Sequence, residues 1–173
     1  MDGWPEASAL PDCDELLARA RAAAAAVPDP EIPVVTLADL GILRGVARRG
    51  NVIEVTLTPT YTGCPATLPI RLDVENALLA AGIADARVSI VLSPPWSTDD
   101  ITDEGRRKLR AYGIAPPPPR SSRTDALFAA PAVVCPRCGS HQTERISEFG
   151  STPCKALWRC TACREPFDVF KCL

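Results

Sequence analysis

Histidine is nearly absent from this 173-residue chain, with His141 the single one. That scarcity excludes several chemistries at once. Three-histidine and two-histidine–carboxylate metal sites cannot be built. A Cys-His or Ser-His dyad has no base outside the neighbourhood of residue 141. Aromatic residues make up only 5%, so aliphatic side chains and alanine must fill the core. No apolar run approaches the ~20 residues of a membrane-spanning helix, and the opening Met1-Asp-Gly-Trp-Pro-Glu lacks the basic start of a signal peptide. A net charge of −2 gives no overall attraction to nucleic acid or to an anionic membrane. Neither a G-x-x-x-x-G-K-S/T nor a G-x-G-x-x-G loop is present to cradle a nucleotide.

What the chain does have is cysteine. Eight of them without a secretory start read as thiols and metal ligands in a reducing cytoplasm, not as a disulfide framework. Cys135-Pro-Arg-Cys138-Gly and Cys160-Thr-Ala-Cys163 stand at the spacing of a zinc ribbon. Two such turns supply four thiolates to one tetrahedral site, which suits a structural Zn²⁺ best, with a rubredoxin-like single iron as runner-up. A redox dithiol or a disulfide pair is the competing reading of either turn alone. Cys154 and Cys172 lie outside both turns, and either structural burial or alternative ligation would account for Cys154.

Four segments follow in order: a leader over residues 1–11, an α/β domain over 12–115, a proline-rich linker over 116–131 and the ribbon over 132–173. Asp12, with Glu15 three residues on, predicts the start of an alanine-rich helix over 13–27. Pro28-Asp-Pro-Glu-Ile-Pro33 reads as a stiff, extended stretch that holds Asp29 and Glu31. Residues 36–40 predict a helical turn ended by Gly41. Residues 42–48 and 52–58 flank Gly50-Asn51 as a β-hairpin. Ile70, Val74, Ala77, Leu78 and Ala81 recur at helical spacing up to Gly82. A third strand over 88–92 and a helix over 103–112, capped by Thr102 and ended by Gly113, complete the domain. The α-β-β-α-β-α order predicts an α+β protein: a small α/β sandwich, its sheet of about three mainly antiparallel strands with packed helices, plus a C-terminal zinc ribbon. Four consecutive prolines at 116–119 predict a semi-rigid spacer that holds the ribbon apart.

Chemistry in the first domain centres on Tyr61-Thr-Gly-Cys64-Pro65. A cysteine at a helix N-terminus has its thiolate stabilised, and Pro65 fits a first helical position. Pro69 then requires either an irregular first turn or a helix that begins near Thr67 and leaves Cys64 in a loop. Cys64 is then either a buried apolar filler or, with Asp29, Glu31 or Asp39, a transient metal site. Trp96 reads as packing and Asp99-Asp100 as a solvated turn.

Val27-Pro-Asp-Pro-Glu-Ile-Pro, Asp39-Leu-Gly-Ile-Leu and Thr60-Tyr-Thr-Gly-Cys-Pro together resemble the MIP18 family of iron–sulfur assembly proteins. Ser93-Pro-Pro-Trp96, Tyr112-Gly-Ile-Ala-Pro-Pro and the appended ribbon make the chain similar, within that family, to accessory subunits of ring-epoxidising phenylacetyl-CoA oxygenase complexes. The resemblance implies a MIP18-like fold and a non-catalytic role in phenylacetate degradation, assisting iron or iron–sulfur maturation. It also implies an assembly site at Asp29, Glu31 and Cys64 for a transient Fe or Fe-S cluster. Its implied partners are the di-iron oxygenase and flavin–iron–sulfur reductase subunits, with homodimerisation left open. Two rival functions stand beside it. One makes Cys64 the nucleophile of an acyl-thioester enzyme, which requires a depressed thiol pKa. The other makes the ribbon a nucleic-acid reader, for which six Arg or Lys against four Asp or Glu after residue 132 is a thin surplus.

Overall fold

The structure is a computed structural model and describes residues 13–117 and 133–171. The leader, the Asp12 cap, residues 118–131 of the linker and Cys172 lie outside the described residues.

Helix α1 (Cys13–Ala25) buries Ala20 and Ala24, small enough for close approach to the sheet. Strands β1 (Leu43–Arg49) and β2 (Val52–Leu57) form the expected hairpin, with Gly50 at φ +62° in its turn. Along β2 the residues Ile53, Val55 and Leu57 are buried while Val52, Glu54 and Thr56 are not, the period-2 alternation of a sheet covered on one face. Helix α2 (Thr67–Ala80) lays Ile70, Val74 and Leu78 on the core at four-residue spacing. Pro69 falls in its first turn, where a backbone N–H has no intrahelical partner to lose.

Strand β3 (Ala86–Ile90) pairs parallel to β2, with Ile53 opposite Ala86 and Leu57 opposite Ile90. The sheet order β1-β2-β3 is therefore half parallel, not mainly antiparallel as its strand count suggested. The cause is α2: a helix between neighbouring strands carries the chain back to its starting edge, and the second strand must run the same way as the first. Helix α3 (Asp103–Tyr112) has the predicted bounds. The Thr102 hydroxyl accepts from the Gly105 N–H at 3.0 Å, and Gly113 ends the helix at φ +96°.

A second sheet, ordered β4-β7-β6-β5, contains β4 (Ile114–Ala115), β5 (Thr143–Ser147), β6 (Lys155–Cys160) and β7 (Pro166–Phe170). Strand β4 follows α3 directly and pairs parallel to β7. Phe170, on β7, is 3% exposed and belongs to the main core around Leu37, Leu57 and Leu78. The ribbon is thus packed onto the α/β layer, and the expectation that the prolines hold it apart is overturned. Apolar burial at Phe170 and backbone pairing at β4 hold it there.

Candidate metal centre and interdomain thiol pocket

The ribbon site is built from two turns of the same design. The Cys135 N–H donates to Ser140 O at 2.9 Å and the Cys160 N–H donates to Glu165 O at 3.0 Å, the same offset in each turn. Gly139 and Arg164, the residues after each second cysteine, both adopt left-handed φ values, +74° and +66°. Only the first was signalled by a glycine; Arg164 adopts the same strained conformation because the turn demands it.

These turns bring Cys135, Cys138, Cys160 and Cys163 together with all sulfurs within 4.8 Å of one another. A tetrahedron with Zn–S bonds of ~2.3 Å has edges of roughly 3.8 Å. The Cys135–Cys163 and Cys138–Cys160 separations are 3.8 and 3.6 Å, so the donor set fits zinc by geometry and by softness. The Cys163 N–H beside the Cys160 sulfur pulls that thiol down, while the crowding of the other sulfurs raises Cys138 and Cys163. The site is closed by four protein ligands, the mark of a structural ion.

The Pro28–Pro33 stretch is not extended. It is a loop pinned at its base, where Asp29 N–H donates to Val35 O at 2.9 Å and Pro28 bridges Thr36. Asp29 turns its side chain inward, and Oδ1 accepts from the Glu31 and Ile32 N–H groups, each at 2.8 Å. Burial pushes the Asp29 carboxyl up against the pull of those two donors. Its role is to fix the loop that presents Glu31.

Cys64 sits in the loop before α2, half-buried, with Gly63 at φ +85° supplying the turn. Burial pushes its thiol pKa up, and the Glu31 and Asp29 carboxylates push the same way. Tyr61 lies beside it, and burial together with the neighbouring Cys64 sulfur drives the phenol up to about 12. Asp29, Glu31 and Cys64 line one cavity of about 20 Å³. That is room for one water-sized body.

Asp39 does not join them. Its carboxylate accepts from Thr36 N–H at 2.9 Å and from Lys108 Nζ at 2.7 Å, a cap and an ion pair that leave it away from the cavity. Asp100 is no solvated turn either. It accepts a bidentate pair from Arg44 at 2.9 and 3.0 Å and caps its own 3₁₀ turn through Ser97 N–H. Trp96 packs as expected and donates its indole N–H to Leu40 O at 2.7 Å.

Two further cavity residues come from the ribbon: Cys154 and Phe170. Cys154, 6% exposed, places its sulfur 3.5 Å from Glu31 Oε2 and 3.0 Å from Thr152 Oγ1. The only signal for it in the sequence was its place outside both C-x-x-C turns.

Residues 17–90 match the family described as iron-sulfur cluster assembly protein, and residues 119–171 match the PaaD zinc beta ribbon domain. A protein of Escherichia coli (strain K12), named as one of the subunits of a "Putative 1,2-phenylacetyl-CoA epoxidase", is 48% identical over 147 residues, covering 85% of this chain and 87% of its own length. The chain belongs to the PaaD family of epoxidase subunits. A crystal structure of the DUF59 domain from Bacillus anthracis shares the fold, at 29% identity and TM-score 0.50, over 56% of this chain and 92% of that one. A solution structure from Mycobacterium tuberculosis, of a protein associated with Fe-S complex assembly and repair, is 36% identical over 65% of this chain and 96% of its own. Its TM-score of 0.34 is too low for a common arrangement to be drawn from it. Asp29, Glu31 and Cys64 fall in the range that matches the iron-sulfur cluster assembly family, and Cys135, Cys138, Cys154, Cys160 and Cys163 fall in the range that matches the zinc ribbon.

Proposed function

We propose that this chain is an accessory assembly subunit of a phenylacetyl-CoA epoxidase with no catalytic step of its own. It takes iron or an iron–sulfur fragment as cargo at Cys64 and Glu31, with Asp29 holding the loop, and passes it to an oxygenase or reductase subunit. It does so in the cytoplasm, where its eight cysteines stay reduced. The supporting observation is the single small cavity into which segments from two loops, more than thirty positions apart, deliver a thiol and a carboxylate. A soft thiolate paired with a hard carboxylate binds a borderline metal while leaving room for release, unlike the four-thiolate ribbon. Among the described residues no helix is long and apolar enough to cross a membrane.

The thioester reading runs against the same geometry. A nucleophilic thiol needs a depressed pKa, and burial with two nearby carboxylates raises that of Cys64. Replacing Cys64 by Ser is expected to leave the fold and the ribbon zinc intact. Epoxidase matured beside the variant should carry less iron and turn over more slowly. Unchanged iron content and turnover in the partner would sink the proposal.

A further inference from the structure

The ribbon does more in this molecule than hold its zinc. The β5–β6 connection is folded tightly, with Lys155 N–H donating to Thr152 O at 3.0 Å and Gly150 N–H to Lys155 O at 2.8 Å. Cys154 stands at the end of that connection, and its carbonyl accepts from Lys171 N–H at 2.8 Å, just beyond β7. Its sulfur is thereby placed just before β6, an inner strand of the sheet, within 3.5 Å of Glu31 Oε2, 123 residues earlier. Lys155 is 5% exposed, its Nζ is 3.9 Å from Asp168, and its positive charge reaches Asp29. Phe170 closes the apolar side of the cavity.

We infer that Cys154 is a second thiolate ligand of the cargo site, so that the cation is held between the assembly layer and the ribbon by Cys64, Cys154 and Glu31. This rests on the cargo reading of Cys64 and Glu31 given above. The Cys154 thiol meets the Glu31 carboxylate inside the cavity that Cys64 also lines, which puts two sulfurs and one carboxylate around the same small space. Among the described residues only the ribbon set is gathered within 4.8 Å, so the cargo ligands close on the ion by side-chain rotation. On binding of a divalent cation two S–H bonds break and two metal–sulfur bonds form. Two protons leave to solvent, and no electrons move. A site that takes one ligand from the ribbon binds its cation only while the ribbon is docked.

The test uses the full chain with one zinc per chain already in the ribbon, titrated anaerobically with cobalt(II) as the probe. Thiolate-to-cobalt charge-transfer absorption grows with the number of sulfurs bound. Wild type is expected to take up one further cobalt with a two-thiolate signal. In both Cys154→Ser and Cys154→Ala that signal should fall to about half, with cobalt affinity down about a hundredfold, since even outer-shell losses cost 10–100-fold. Cys64→Ser should behave likewise. Zinc stoichiometry and circular dichroism equal to wild type certify that each variant is folded. A full signal and affinity in both Cys154 variants, with Cys64→Ser impaired, would overturn the role of Cys154 and leave the cargo site standing. Wild type that takes up no cobalt beside its ribbon zinc would overturn both.

Discussion

The rings of Trp96 and Phe170 lie with centroids 6.0 Å apart and planes tilted by 52°, an α/β-layer residue against a ribbon residue. Both are buried, at 6% and 3% exposure, and the Trp96 indole is fixed by its bond to Leu40 O. A tilted aromatic pair at this distance adds to the area term. The two modules therefore share a core, and the ribbon also walls the thiol pocket through Cys154 and Phe170.

Phe170→Ala tests that coupling. Removing a buried phenylalanine costs about 3–5 kcal/mol, so denaturant unfolding should begin earlier and split into two transitions as the ribbon parts from the layer. Zinc content should stay at one per chain, because Phe170 is not a ligand. A single transition at the wild-type midpoint would show that the ribbon rests on the layer without stabilising it.

A second prediction concerns acid stability. Burial pushes the Asp39 carboxyl up, but the bond from Lys108 and the Thr36 N–H outweigh it and hold the group below its ordinary 3.8. A carboxyl depressed in the folded state stabilises the protein fully above its unfolded pKa. The contribution is lost as pH falls through the folded value. Lys108→Met should therefore cost about 1–2 kcal/mol at neutral pH. The gap from wild type should narrow steadily below about pH 4 as Asp39 takes up its proton in both proteins. Denaturant titrations from pH 7 to pH 3 read this directly, and a gap constant with pH would remove the ion pair as its cause.

Much of the local structure was legible because local chemistry decides it. The bounds of α3 followed from Thr102 and Gly113 and the hairpin from Gly50-Asn51, while Pro69 left two starts open for α2, of which the one at Thr67 is found. The gathering of Cys135, Cys138, Cys160 and Cys163 was legible from spacing alone, since a C-x-x-C turn closes on itself. What escaped were relationships across the chain. Strand β4 has two residues and exists only through its pairing with β7. The Asp29 loop looked extended because three prolines favour that shape, yet the bond from Asp29 N–H to Val35 O folds it back. Cys154 carried no motif, and its place beside Glu31 depends on how the ribbon docks, which no periodicity encodes.

The Asp39-Leu-Gly sequence explains itself at Gly41, and a pair of substitutions separates its two demands. Gly41 has φ +67°, and a Cβ there would stand 2.3 Å from Asp100 O and 2.7 Å from Asp100 Cβ. Gly82 has a similar φ of +76°, but a Cβ there would meet nothing within 4 Å. Gly82→Ala thus carries only the left-handed conformational penalty, about 1 kcal/mol. Gly41→Ala carries that penalty plus a clash with backbone that cannot swing aside, because Asp100 is tied to Arg44 and to Ser97 N–H. It should cost at least about 3 kcal/mol and displace the 3₁₀ turn that Arg44 anchors. Chemical denaturation of the two variants side by side measures the difference. Equal losses would mean that backbone conformation, and not the close approach of Asp100, is what requires glycine at position 41.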